Sequence, residues 1–150
     1  MIPINNILNS NIEFKSEVLD LANEAREYLS SFKWCKEITN GWLAAEFGYM
    51  LCVFYFEIVP SEGSKADNFV WIIVGDIPPA YIDVVSAPNV KDAIISYCEI
   101  MEDWIDVVNK GNSVEECFPI SVDPTKEHAD MLKTRITLIK NELLPNLLEV

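Results

Sequence analysis

The stretch Phe69-Val-Trp-Ile-Ile-Val-Gly-Asp-Ile-Pro-Pro-Ala-Tyr-Ile-Asp83 decides the fold class. It starts as a continuous apolar run, breaks at Gly75-Asp76, turns through Pro78-Pro79 and resumes as Ala80 to Val85. A short apolar run bounded by turn residues reads as a strand covered on both faces. The resumed segment reads as a further short strand. Upstream, Met50-Leu-Cys-Val-Phe-Tyr-Phe56 is apolar on both alternations, the pattern of a central strand, inside a strand reading of residues 42–59. The polar segment Pro60 to Asn68 joins the two runs, and its length suits an antiparallel pair with a long hairpin loop. Thr39-Asn-Gly41 reads as a turn before the first strand, because Asn and Gly tolerate positive φ.

Helical sequence flanks this core. From Ser10 to Ser31, Phe14, Val18, Leu21, Ala22, Ala25, Tyr28 and Leu29 recur at steps of three and four, with Ser10 or Asn11 as the expected cap. Ser86-Ala-Pro-Asn89 opens a second helix to about Asn109. Its apolar face is Val90, Ala93, Ile94, Tyr97, Met101, Trp104, Ile105 and Val108, and Lys110-Gly111 ends it. Asp123-Pro124 starts the last helix, with Leu132, Ile136, Ile139 and Leu143 as its stripe and Pro145 as its end. The expectation is one α+β domain over 1–150, ordered α-β-β-β-α-α, with a small, mainly antiparallel sheet of about three strands packed with helices.

Charge narrows the partners. The net charge is −13, and residues 41–122 hold thirteen acids against three bases. A nucleic-acid binder needs a basic face to neutralise phosphates, and an anionic membrane surface attracts the same cations, so neither is an expected partner. A basic protein is compatible with this charge. Gly41 to Val59 is long and apolar, but Glu46 and Glu57 inside it argue against a membrane span. Met1-Ile-Pro-Ile-Asn-Asn-Ile-Leu lacks the basic start of a signal peptide, and the four cysteines fit free thiols in a reducing cytoplasm.

No stretch forces a chemistry. Cys35, Cys52, Cys98 and Cys117 form no C-x-x-C pair, and His128 completes no zinc set with them, so no metal or other cofactor is expected. Trp34-Cys35-Lys36 puts a thiol beside a cation, an arrangement that can lower a thiol pKa, although Cys as a small buried hydrophobe is the commoner outcome. His128 reads as a helix-cap histidine. The most distinctive feature is an acidic helix face, Asp92, Glu99, Glu102, Asp103 and Asp106, which spans roughly a third of the circumference. Like charges at such spacings mildly destabilise a helix, so the stripe is either a solvated face or a surface for a basic partner. A second candidate is a small-molecule pocket near Trp71, Asp76 and Tyr81, where a carboxylate and aromatics meet at the strand end.

Val70-Trp-Ile-Ile-Val-Gly-Asp-Ile-Pro-Pro-Ala-Tyr81, Tyr97-Cys-Glu-Ile-Met-Glu-Asp-Trp104 and the closing helix after Asp123-Pro-Thr125 together resemble a family of bacterial proteins with no assigned activity. The resemblance implies a bacterial, cytoplasmic, stand-alone domain and transfers no catalytic residue. The leading expectation is a non-enzymatic acidic binding protein, of the immunity type by analogy of size and charge, that meets a basic toxin or nuclease through the acidic helix face. The alternative is a small-molecule-binding domain or enzyme with its pocket near Asp76. Homo-oligomerisation through aromatic surface is a third route, and the sequence does not rank it.

Overall fold

The computed structural model describes residues 1–148. Five antiparallel strands form one sheet in chain order: β1 (Ile2–Pro3), β2 (Cys35–Glu46), β3 (Leu51–Pro60), β4 (Phe69–Gly75) and β5 (Ile77–Asp83). Three helices cover it: α1 (Lys15–Ser30), α2 (Val90–Asn109) and α3 (Lys126–Leu138). The α+β class and the antiparallel pairing match the expectation, and the strand number corrects it from about three to five.

Both faces of the sheet are covered. Along β3, Leu51 and Val53 point to a cluster containing α2 and α3, while Cys52, Phe54, Phe56 and Ile58 point to a cluster containing α1. In β4, Trp71 and Ile73 join the first cluster and Val70, Ile72 and Val74 the second. That division explains the unbroken apolar run, because period-two alternation places both parities in a dry environment. The expected turn at Pro78-Pro79 is instead part of β5, which runs over Ile77–Asp83 and not Ala80 to Val85; β5 is an edge strand, so the two prolines sit where the missing N–H groups break no inner ladder. The Pro78 carbonyl accepts a hydrogen bond from the Tyr97 hydroxyl at 2.6 Å, which ties the edge to α2.

Two corrections concern the first half of the sheet. The expected single strand over 42–59 is two strands, joined by a tight connection at Phe47-Gly-Tyr-Met50 where Gly48 takes φ +60. Thr39-Asn-Gly41 is not a turn and lies inside β2. At Gly41 a Cβ would lie 2.7 Å from a Phe56 ring carbon and 2.8 Å from Ile4 Cδ1, so the glycine serves close packing. Gly75 has a different role. It has φ +148, and a Cβ there would run into the Met50 carbonyl.

Helix boundaries also shift. Residues Ile4–Asn9 form a 3-10 segment, and the Ser10 hydroxyl donates to the Ile7 carbonyl at 2.6 Å. Ser10 therefore closes that segment and does not cap α1, which begins after Phe14 without a side-chain cap. α2 starts after Asn89, whose side chain accepts from the Asp92 amide at 2.9 Å. Its predicted face is inside: Val90, Ala93, Ile94, Tyr97, Met101, Trp104 and Ile105 are all buried. Thr125, rather than Asp123, caps α3, accepting from the His128 amide at 3.2 Å. The α3 spiral widens into a π turn at Ile139–Leu143, and Pro145 lies in the closing 3-10 turn Leu144–Asn146.

Candidate functional site

The acidic face of α2 points outward as expected, but parts of it are internally neutralised. Glu99, Glu102, Asp103 and Asp106 are exposed, and Asp92 is half-buried beside its cap. Lys140 reaches Glu102 at 3.3 Å from the π turn, and Lys110 holds Asp106 at 2.8 Å from the helix end. On the other border, Asp103 lies by Cys117 and raises that thiol's pKa, after the larger effect of burial. Asp92 belongs to the helix start, accepting from Asn89 Nδ2 at 2.9 Å. Of the five predicted partner-binding carboxylates, Glu99 is the one with no such tie among the described residues.

The residues predicted to share a pocket lie apart. Trp71 is buried under α2, and its indole N–H donates to the Ala87 carbonyl at 2.8 Å. Tyr81 sits on the opposite face of the sheet, because it pairs with Ile72 while Trp71 pairs with Ile82. Asp76 is at the β4–β5 corner, where its amide donates to the Met50 carbonyl at 3.0 Å. Its carboxylate is 69% exposed and accepts from Arg135 Nε at 3.3 Å and Nη2 at 3.2 Å. Asp76 therefore links the sheet corner to α3, and one carboxylate edge remains open to solvent.

That corner contains a surface not anticipated from sequence. Glu17, Asp20 and Glu24 on α1 form the wall of an open cleft whose other side is Tyr49, Gly75 and Asp76. The three α1 carboxylates stand three and four residues apart, hence on one helical face. Among the described residues none of them is in an ion pair. At the cleft end three apolar side chains reach solvent: Phe14 is 39%, Tyr49 57% and Met50 39% exposed. Phe14 and Tyr49 meet edge to face at 6.2 Å. The approach of Tyr49 and Asp76 to these acids depends on the β2–β3 turn and the β4–β5 corner.

The opposite end of the same sheet face holds a cleft of about 350 Å³ between Trp34, Tyr81 and the 61–68 loop. Phe32 stacks on Trp34 at 5.1 Å and meets Tyr81 at 5.0 Å, and Phe118 closes on Tyr81 at 4.9 Å. Burial pushes the nearby Tyr28 hydroxyl above its ordinary range, with the Tyr81 phenol adding to the effect. Tyr81 thus lines a cleft, though not the one expected near Asp76.

Cys35, Cys52 and Cys98 are buried and Cys117 is half-buried. Burial pushes the Cys35 thiol up, against the lowering that a neighbouring cation such as Lys36 can supply. Burial raises Cys52 as well and takes Cys98 to about 12, with Glu102 adding to the latter. His128 Nδ1 lies 3.0 Å from both the Thr125 hydroxyl and the Asp123 carbonyl, as a cap-region histidine does. Among the described residues, no group of three or more His, Cys, Asp or Glu side chains is placed to hold a metal ion. No described helix is long and apolar enough to cross a membrane. No protein-family model, curated protein or solved structure matches the chain.

Proposed function

We propose that this chain is an acidic binding protein whose partner is a basic protein, and that the contact centres on the corner between α1 and the β4–β5 turn. The observation that carries this reading is the pairing of an exposed apolar spot, Phe14, Tyr49 and Met50, with the unneutralised row Glu17, Asp20 and Glu24. Interfaces draw most of their affinity from a few central aromatic or aliphatic anchors. Charges at the rim add speed and selectivity. A cationic partner with an apolar or arginine-bearing projection fits both parts.

The α2 stripe is the secondary contact area in this reading. A partner engaging Glu102 or Asp106 would first displace Lys140 or Lys110, and exchanging one cation for another gains little. Toxins and nucleases of high positive charge are the partner class, and the bacterial, cytoplasmic setting belongs to the same proposal.

The test uses the full chain as bait for cationic proteins of the source cell, at low and at raised salt. A variant with Glu17→Lys, Asp20→Lys and Glu24→Lys is compared with one carrying Glu99→Lys, Asp103→Lys and Asp106→Lys, and with Tyr49→Ala. The α1 reversal is expected to abolish salt-sensitive capture of a basic protein, and Tyr49→Ala to weaken it at least tenfold. Capture that survives the α1 reversal and is lost with the α2 reversal would move the interface to α2. Capture indifferent to both would end the proposal.

A further inference from the structure

We propose that the cleft between Trp34, Tyr81 and the 61–68 loop binds a small zwitterionic amine of amino-acid size. The inference is independent of the protein-partner reading, because this cleft and the Asp76 corner lie at opposite ends of the sheet. Trp34 and Tyr81 meet at 5.2 Å with their planes 69° apart and form an aromatic wall over Val70. Ser64, Ala66 and Phe69 complete the lining, whose charged residues are Asp67, Asp83 and Lys65. Among the described residues none of these three is in an ion pair, so two carboxylates and one ammonium border an aromatic pocket without neutralising one another.

Each ligand class meets this lining differently. A plain anion faces Asp67 and Asp83. A plain cation gains the carboxylates and the aromatic faces, whose quadrupoles attract cations, but leaves Lys65 unanswered. A molecule with an ammonium and a carboxylate satisfies both signs at once. The volume lies at the lower end of the range for small-molecule sites, which suits a compact ligand.

The walls are held in place before any ligand arrives. Phe32 and Phe118 back the two rings, as described above. The loop is pinned to the start of β2 by the Ser61 amide donating to the Trp34 carbonyl at 2.9 Å. Within the loop, the Ser64 amide donates to the Ser61 carbonyl at 2.9 Å and the Ala66 amide to the Ser64 hydroxyl at 3.0 Å. Asp83 Oδ1 accepts from the Val85 amide at 3.1 Å, which orients that carboxylate at the rim. Preorganisation of this kind reduces the ordering cost of binding.

The experiment is an NMR titration of the full chain, following the Trp34 indole N–H, assigned with a Trp34→Phe variant. The probes are 4-aminobutyrate and trimethylglycine as zwitterions, with butylamine and butyrate as single-charge analogues. Saturable shifts are expected with the zwitterions, about tenfold tighter than with butylamine and tighter still than with butyrate. Asp83→Asn, a surface change that leaves the core intact, is expected to weaken zwitterion and amine alike by about tenfold. Lys65→Met is expected to bring the zwitterion down to the affinity of the amine. No saturable shift with any probe would overturn the proposal. So would amine binding equal to zwitterion binding and unchanged by Lys65→Met, which would define a plain cation site, or zwitterion binding unchanged by Asp83→Asn.

Discussion

α1 and α2 lie on opposite faces of one sheet, and each carries an acidic outer side, yet the two helices are built differently. α2 buries eight side chains, among them Tyr97 and Trp104, and Asn89 caps its start. Its acids are drawn into local contacts with Lys110, Lys140 and Asn89. α1 buries four side chains, two of them alanines, has no side-chain cap, and leaves Glu17, Asp20 and Glu24 unpaired among the described residues. The difference teaches that an acidic helix face has no single meaning. On α2 the carboxylates are part of how the helix is held. On α1 they stand in no ion pair among the described residues, and only Glu17, in the first turn, faces the helix N-terminus.

Mutations can break or sharpen this contrast. The largest effect is expected from Trp104→Ala on α2, which empties a fully buried site and should cost about 3–5 kcal/mol in denaturant unfolding. Ala22→Gly on the buried side of α1 should cost only about 1 kcal/mol, mainly by loss of helix propensity. Equal losses would contradict the assignment of α2 as the principal packing helix.

Gly75→Ala comes next. Strained φ and the Met50 carbonyl in the path of Cβ should cost about 1–3 kcal/mol and disturb the Asp76 corner. The same denaturant series, with binding to the captured partner, reads both effects, and an unchanged midpoint would refute the packing argument.

Alkaline pH tests the packed interior under α2. Cys98 is pushed up from 9.0 to about 12 by burial, with the Glu102 carboxylate adding to the effect. Burial also raises Tyr97. The folded state therefore keeps these protons in a range where the unfolded chain loses them. Their contribution is intact below about pH 9 and is lost as pH rises towards 12. Melting temperature should fall across that window, and less steeply in Cys98→Ala. A flat profile would show that the thiol is more solvated than its packing implies.

The smallest effect is expected at the surface. Glu102→Gln removes an ion pair to Lys140 between half-exposed side chains, and the change in unfolding free energy should stay within about 1 kcal/mol. Glu24→Gln on α1, away from the first turn, should change stability even less, since it breaks no pair. A larger loss at Glu24 than at Glu102 would reverse the distinction between the two faces.

The helix that packs best was also the most readable. Its apolar side chains recur at helical spacing because a single broad face meets the sheet, so sequence and burial coincide from Val90 to Ile105. β4 was legible for a related reason, since its apolar run reports burial on both faces, whereas β5 was read only in part, because Pro78 and Pro79 suggest a turn and yet lie inside the strand. β2 was not. Three register shifts interrupt its alternation, and its glycine answers a packing demand from Phe56 and Ile4 that lies far away in sequence. The connection Phe47-Gly-Tyr-Met50 lacks the polar signature of a turn, which let two strands read as one. Both clefts were hidden because they join residues through the fold. Trp34 meets Tyr81, and Glu17 comes to line the same cleft as Asp76, only once the sheet is assembled and α1 is laid on it. Trp71 and Tyr81 are an even number of residues apart, and only the β4–β5 register, which pairs Trp71 with Ile82 and Tyr81 with Ile72, puts them on opposite faces.

The two prolines at the rim of the sheet have a consequence beyond local geometry. Val70 to Val74, rich in β-branched residues and bare of charge, is the kind of segment that stacks into fibrils when a strand edge is open to it. In the folded chain it is an inner strand, and the rim on its side is β5, where Pro78 and Pro79 offer no N–H to an incoming backbone. The other rim is the two-residue β1, which ends in a third proline. The rim nearest this segment is thus interrupted by two residues that cannot donate, one of the devices that blunt pairing between strand edges of different molecules.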